Sequence, residues 1–237
     1  MIRFSIKGGA AVLALLGIVG FGPAKAEDRG FSVTDFDRIE VDGAFEVIVE
    51  TGKSPSARAT GSGAGLDRLQ LEVRGRTLRI RMSRVNGVSW RSDPIVPPKV
   101  RIGAPGLRDA ILRGSGTLSI SKMRSATIRL LQIGSGSLSV GTVEADRLFA
   151  NQAGSGMMAL RGKALIGALS LEGSGQLAAE GLAVTDLTLS SRSSGAAKVI
   201  AVRTARVTSS GSGALDIVGR AACTVTATGS GAVRCGR

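Results

Sequence analysis

The stretch Leu130–Val140, "LLQIGSGSLSV", decides the fold because a Gly-Ser-Gly triplet separates two runs of alternating apolar residues. The triplet recurs along the chain at steps of 20, 20, 19, 20, 18 and 18 residues. A fixed period of this kind is the signature of a repeat architecture. The seven copies are Gly114-Ser115-Gly116, Gly134-Ser135-Gly136, Gly154-Ser155-Gly156, Gly173-Ser174-Gly175, Ser193-Ser194-Gly195, Gly211-Ser212-Gly213 and Gly229-Ser230-Gly231.

The residues that flank each triplet are apolar at every second position. Leu138 and Val140 follow one triplet, and Ile128 and Leu130 precede it. A period of two indicates strands with one buried face, and each triplet is then a corner at which glycine tolerates positive φ or close backbone approach. Stacked strand–corner–strand units share a continuous core, so the pattern predicts an all-β, single-stranded parallel β-helix with coils of about 19 residues. A β-sandwich or an irregular barrel is the alternative, whereas a propeller blade needs about twice this period.

The first 26 residues have the features of a secretory signal peptide. Arg3 and Lys7 precede an uncharged apolar run over residues 10–21, and small residues follow up to Ala26. The run is shorter than the roughly 20 residues that cross a bilayer. We therefore predict cleavage after Ala26 and no transmembrane segment.

The mature chain, residues 27–237, is predicted to form one domain with two sections. Residues 31–113 contain strand-like segments with less regular spacing, which predict irregular coils, whereas residues 114–237 form the regular Gly-Ser-Gly coils. Ser83–Pro98 is rich in proline and contains Asn-Gly, so it is expected to be a loop. The triplet at residues 61–63 is out of phase with the others, and no segment has the pattern of a helix.

The net charge and the absence of histidine limit the classes of function that the chain can have. The formal net charge is +13, or about +10 without the three basic residues of the signal segment, which favours acidic partners such as anionic glycans or lipopolysaccharide. The chain contains no histidine, which excludes Ser-His-Asp catalysis and imidazole metal ligands. We expect no metal, no cofactor and no catalytic residue. The export signal argues against nucleic acid as a partner.

Two sets of residues are candidates for a role beyond the repeat. In "RGRTLRIRMSR" the arginines alternate with apolar residues, so an outward stripe for phosphates or carboxylates is predicted, with a tryptophan on the following loop that could stack on a sugar. A solvated strand face is the alternative interpretation. These candidate ligand-binding residues are Arg74, Arg76, Arg79, Arg81, Arg84 and Trp90.

Cys223 and Cys235 occupy inward positions on either side of the last corner. In an exported chain two such cysteines predict a disulfide that closes the final coil.

The opening "FDRIEVDGAFEVIVETG" (Phe36–Gly52), the later "GRTLRI" (Gly75–Ile80) and the Gly-Ser-Gly coils together resemble the bacterial family described as "putative auto-transporter adhesin, head GIN domain". The resemblance covers nearly all of the mature chain. It implies an exported protein with a right-handed β-helical body, and it brings no catalytic motif. Ser193 departs from the glycine of the other corners, so this corner is expected to differ.

Together these observations predict an exported, non-enzymatic, adhesin-like protein of the periplasm or cell surface that binds or organises envelope polymers. The alternative is a carbohydrate-active enzyme acting on acidic polysaccharide, because β-helices also carry such enzymes. That chemistry needs clustered carboxylates, and the repeated coils carry only scattered single acids.

Overall fold

The computed structural model describes residues 26–83 and 97–236. It is an all-β protein, with 71% strand and 3% helix, that winds into a β-solenoid of about 6 turns. The sequence-based prediction of a stacked-coil fold is therefore confirmed. Residues 1–25 of the predicted signal peptide, together with Arg84 and Trp90, lie outside the described residues.

The strands and the single helix of the described chain follow one another in a fixed order. The N-terminal section contains β1 (Glu27–Phe31), β2 (Arg38–Asp42), β3 (Glu46–Thr51), β4 (Ser56–Gly61), α1 (Gly63–Arg68), β5 (Leu69–Arg74), β6 (Thr77–Met82), β7 (Lys99–Ala104) and β8 (Asp109–Arg113). The regular coils contain β9 (Thr117–Ile133), β10 (Ser137–Gly154), β11 (Met157–Gly173), β12 (Gln176–Ser193), β13 (Ala197–Ser209), β14 (Leu215–Val218), β15 (Ala222–Ala227) and β16 (Val233–Cys235).

Each regular coil lies in parallel register on the coil before it. Leu138 of β10 is opposite Leu118 of β9 and Met158 of β11. Gly154 is likewise opposite Gly173, so equivalent corners lie one above another. The apolar positions therefore form continuous columns inside the solenoid, which is how a short repeat acquires a core.

The corners bond directly to one another through their backbones. The N–H of Gly136 donates to the carbonyl of Gly114 at 3.0 Å, and the N–H of Gly156 donates to the carbonyl of Gly134 at 3.1 Å. Gly134 has a φ of 114°, and a Cβ on Gly136 would lie 2.3 Å from the oxygen of Gly116. Glycine is thus required for its left-handed backbone at the first position of the first four corners, where φ is 103 to 121°, and for close approach at the third position.

Ser193 takes the first position of its corner without a left-handed backbone, since no described residue other than glycine has a positive φ. It stays in register opposite Gly173. Its Oγ accepts a hydrogen bond from the N–H of Gly195 at 2.9 Å. A side-chain hydrogen bond therefore helps to hold the corner that lacks the first glycine.

The middle residue of every corner points to solvent. This exposed column consists of Ser115, Ser135, Ser155, Ser174, Ser194, Ser212 and Ser230.

The core contains one column of positions that the apolar pattern did not reveal. Two residues before the triplets, Gln132 and Gln152 are 0% and 3% exposed and lie opposite each other. The Nε2 of Gln152 donates to the carbonyl of Gly156 at 2.5 Å. Leu171 is opposite Gln152 in the next coil. The column is not recognisable in the sequence because glutamine is a polar residue. It can be buried here because its amide forms a hydrogen bond to the backbone of a corner.

The N-terminal section departs from a purely parallel helix. β2 pairs in parallel with β6 and β8, and β3 pairs in parallel with β7 and β9. By contrast, β1–β4, β4–β7 and β5–β6 are antiparallel. The connection from β5 to β6 is the two-residue turn Gly75-Arg76, in which Gly75 has a φ of 59°. So short a connection can join only antiparallel strands.

The expectation that the chain contains no helix is wrong, because α1 is a short helix. The hydroxyl of Ser62 accepts a hydrogen bond from the N–H of Gly65 and caps α1, so residues 61–63 begin a helix and are not a corner. Serine is a preferred N-cap because its side chain satisfies an otherwise unpaired N–H. Leu66 of the helix is buried in the common core.

The last coil is closed by a disulfide between Cys223 and Cys235, with a Cα–Cα distance of 6.3 Å. The prediction of this bond is confirmed. β15 pairs with β13, and β16 pairs with β14, so the bond joins two sides of the final coil.

Candidate functional site

The predicted arginine stripe lies on the outer face of β5 and β6. Leu78 and Ile80 are buried, and Arg79 and Arg81, which alternate with them, are exposed. Arg74 is the last residue of β5.

Each described arginine of the stripe contacts an acceptor on the sheet. The nearest nitrogen–oxygen distances are 2.6 Å for Arg74–Glu72, 2.9 Å for Arg76–Asp37, 3.1 Å for Arg79–Glu40 and 3.1 Å for Arg81–Gln70. The contact of Arg79 follows from the register, because Glu40 of β2 lies directly opposite it. The stripe is therefore one part of a wider network of contacts between polar side chains.

This network extends across β2, β8 and the second half of β9. Asp109 lies 2.8 Å from Arg38, 3.8 Å from Arg108 and 3.5 Å from Arg129. We call the whole surface the arginine wall, and its arginines are Arg38, Arg74, Arg76, Arg79, Arg81, Arg108, Arg113 and Arg129. The carboxylates among them are Asp35, Asp37, Glu40, Asp42, Glu72 and Asp109, so arginines are in excess.

Four of the eight arginines of the wall were not predicted from the sequence. The residues of the wall lie up to about 90 positions apart in the chain, and only the stacking of the coils brings them together. The one feature of the sequence that could have indicated these contacts is the spacing of about 20 residues between equivalent positions in neighbouring coils. Arg129 follows Asp109 by 20 residues and lies opposite it across β8 and β9.

Charges of opposite sign lie at different depths in the arginine wall. The side chains of Asp37, Glu40 and Asp109 are only 19, 20 and 12% exposed. The arginines that contact them are 38 to 61% exposed. A molecule that approaches these three carboxylates therefore meets guanidinium groups first, whereas Asp35 and Glu72 are themselves 60 and 44% exposed.

The regular coils carry a few isolated ion pairs away from the wall. A hydrogen bond from Lys122 lowers the pKa of Glu144. Hydrogen bonds from Arg203 and then Thr204 lower the pKa of Asp186. These exposed pairs join neighbouring coils.

Residues 26–83 and 97–236 contain neither a metal-binding cluster nor a membrane-spanning helix. In these ranges no three acidic or cysteine side chains are grouped so that they could hold a metal ion. No helix in the same part of the chain is both long and apolar enough to cross a membrane.

The chain is similar in fold to solved structures from Bacteroides and Parabacteroides species. A structure from Bacteroides fragilis, described as a putative adhesin, has a TM-score of 0.78 and 20% identity, over 89% of this chain and 97% of its own. A putative adhesin from Parabacteroides merdae has a TM-score of 0.69 and 18% identity, over 90% and 96%. A protein from Parabacteroides distasonis, described as a putative lipid binding protein, has a TM-score of 0.68 and 22% identity, over 90% and 97%. At these identities the likeness shows the fold alone.

Among curated proteins, none matches the sequence. The family model described as "Putative auto-transporter adhesin, head GIN domain" matches residues 35–221, which include the arginine wall and all but the last of the seven corners. The chain therefore belongs to this adhesin head family.

Proposed function

We propose that the protein is an exported, non-enzymatic, adhesin-like binding protein whose arginine wall contacts acidic groups of cell-envelope polymers, such as anionic glycans or lipopolysaccharide. The observation that carries the proposal is the set of exposed guanidinium groups above the recessed carboxylates of Asp37, Glu40 and Asp109. Membership of the adhesin head family supports the adhesin-like role and a place outside the cytoplasm. We further propose right-handed winding, the hand that connections between parallel strands strongly favour.

The geometry of the wall suits a polyanion for an energetic reason. Exposed ion pairs contribute only about 0–1 kcal/mol each, so an incoming carboxylate or phosphate can share the arginines at little cost. Guanidinium groups bind such oxyanions through two parallel hydrogen bonds. The recessed acids hold the arginine side chains in place and thereby reduce the entropy lost on binding.

The decisive experiment measures binding of the purified protein to lipopolysaccharide and to polygalacturonate by biolayer interferometry. We expect Arg79→Ala combined with Arg81→Ala to weaken binding by about tenfold, and added salt to weaken it further. The matched control is Lys198→Ala combined with Arg234→Ala, which removes two exposed charges from another face of the solenoid.

Equal binding by the Arg79/Arg81 variant and the unaltered protein would show that the arginine wall does not bind these polymers. The same preparation is incubated with acidic polysaccharides, with and without calcium, and new reducing or unsaturated ends are measured. Their appearance would replace the binding role with the enzymatic alternative.

A further inference from the structure

One exposed aromatic ring stands beside the arginine wall. Phe149 of β10 is 39% exposed, and it is the only aromatic residue among the large apolar side chains that the described chain exposes. It is on the outer face of the sheet, between the buried residues Leu148 and Ala150. The ring therefore contributes little to the core.

Polar groups surround this ring on three sides. The guanidinium carbon of Arg129, in the coil before, lies 5.9 Å from the ring centroid. Arg147 and Asn151 precede and follow Phe149 by two residues on the same strand, and both are exposed. Ala168 is opposite Phe149 in the next coil, and its small side chain leaves that side of the ring open.

The distances suit one sugar residue. Neighbouring strands lie about 4.8 Å apart, and residues two apart on a strand are separated by about 6.6 Å, which is the scale of a pyranose ring. The C–H face of a pyranose can cover an aromatic ring, an amide can donate to and accept from its hydroxyl groups, and a guanidinium pairs with a carboxylate. Arg147 forms no ion pair within the described residues, and Arg129 is 61% exposed.

From this arrangement we infer that Phe149, Arg129, Arg147 and Asn151 form a subsite for one acidic sugar residue of the uronic acid type. Phe149 supports the ring, Asn151 orients its hydroxyl groups, and the two arginines bind the carboxylate. This inference rests on the proposed function and assigns it a ligand class and a position.

The experiment measures the affinity of the purified protein for tetragalacturonate and for a neutral galactose tetramer by titration calorimetry. We expect Phe149→Ala to weaken binding of tetragalacturonate by about tenfold, and Phe149→Leu to weaken it nearly as much, because the loss is that of the ring. Arg147→Gln is expected to reduce the preference for the acidic sugar over the neutral one. Met157→Ala is the matched control, since Met157 is 46% exposed and lies on another face.

The outcomes separate this inference from the function on which it rests. The subsite is wrong if Phe149→Ala binds as the unaltered protein does while the Arg79/Arg81 variant loses binding, and the proposed function then stands. The subsite is also wrong if the unaltered protein binds lipopolysaccharide but not tetragalacturonate. If the unaltered protein binds neither, both fail. Thermal unfolding of each variant checks that it remains folded.

Discussion

The N-terminal section and the regular coils share one apolar core and are both built from paired strands, but they differ in how strictly the chain repeats. In the regular coils each corner glycine approaches the corner before it, as at Gly136, where a Cβ would lie 2.3 Å from a carbonyl oxygen. In the N-terminal section ion pairs join outer side chains, such as those of Asp109 with Arg38 and Arg108. The regular stacking of coils therefore depends on the repeated backbone geometry of the corners. Most of the arginine wall, by contrast, lies on strands whose sequence repeats less strictly.

The largest expected effect comes from a corner. Gly195→Ala would place a Cβ 1.7 Å from the oxygen of Gly175, so two backbones must separate and the unfolding free energy should fall on the order of 3 kcal/mol or more. Gly106→Ala in the N-terminal section is the control, because nothing lies within 4 Å of its Cβ and its φ is not positive. Urea denaturation followed by circular dichroism measures both, and equal midpoints would show that corners are not the critical contacts.

The disulfide between Cys223 and Cys235 stabilises the C-terminal end of the regular coils. Replacing Cys223 and Cys235 by serine opens a loop with a sequence separation of 12, which should cost about 3 kcal/mol in the chain-entropy account. Because each coil contacts only its neighbours, the loss should be local. Hydrogen exchange should therefore accelerate in β15 and β16 first. Equal acceleration in β2 and β8 would contradict this expectation.

A smaller effect is expected in the arginine wall. Glu40 lies between Arg79 and Arg113 and contacts both. Glu40→Gln leaves these two like charges without their shared carboxylate, so stability should fall by about 1 kcal/mol at low salt and by less at high salt. Glu172→Gln, in the regular coils, is the control and should change stability less, because Glu172 is 49% exposed and pairs only with Arg192 among the described residues. The idea fails if the effect of Glu40→Gln does not depend on salt.

The smallest effect concerns pH in the regular coils. Hydrogen bonds from Arg203 and Thr204 lower the pKa of Asp186. A carboxylate whose pKa is lower in the folded protein adds stability above its unfolded pKa, and this contribution is lost as the pH falls through the folded pKa. Carboxyl NMR titration should show the pKa of Asp186 rising toward its ordinary value in Arg203→Gln. An unchanged pKa in that variant would assign the shift to another cause.

Different features of the molecule were predictable to different degrees. The corners were predictable because glycine is almost the only residue that tolerates their backbone, so the requirement appears as a repeated triplet. The polar column that includes Gln132 and Gln152 was not, because a buried amide looks like a surface residue until its hydrogen-bond partner is known. The capped start of α1 was not predicted, because Gly-Ser-Gly suits both a corner and a helix start, and the sequence showed only that this triplet is out of phase.

The candidate site shows the same division. Alternation alone placed Arg79 and Arg81 on one outer face. It could not indicate that Glu40 lies opposite Arg79, or that Arg129 approaches Phe149, since each contact joins different strands.

The sequence by itself determined the coil length, the corners, the inward apolar positions and the pairing of the two cysteines, because these depend on local backbone geometry and a short period. Only the tertiary structure decided the antiparallel pairs of the N-terminal section, the depth of the carboxylates beneath the arginines, and the surroundings of Phe149. The reason is physical: a repeat specifies which residues face outward, whereas the identity of their neighbours depends on how the coils are aligned in register.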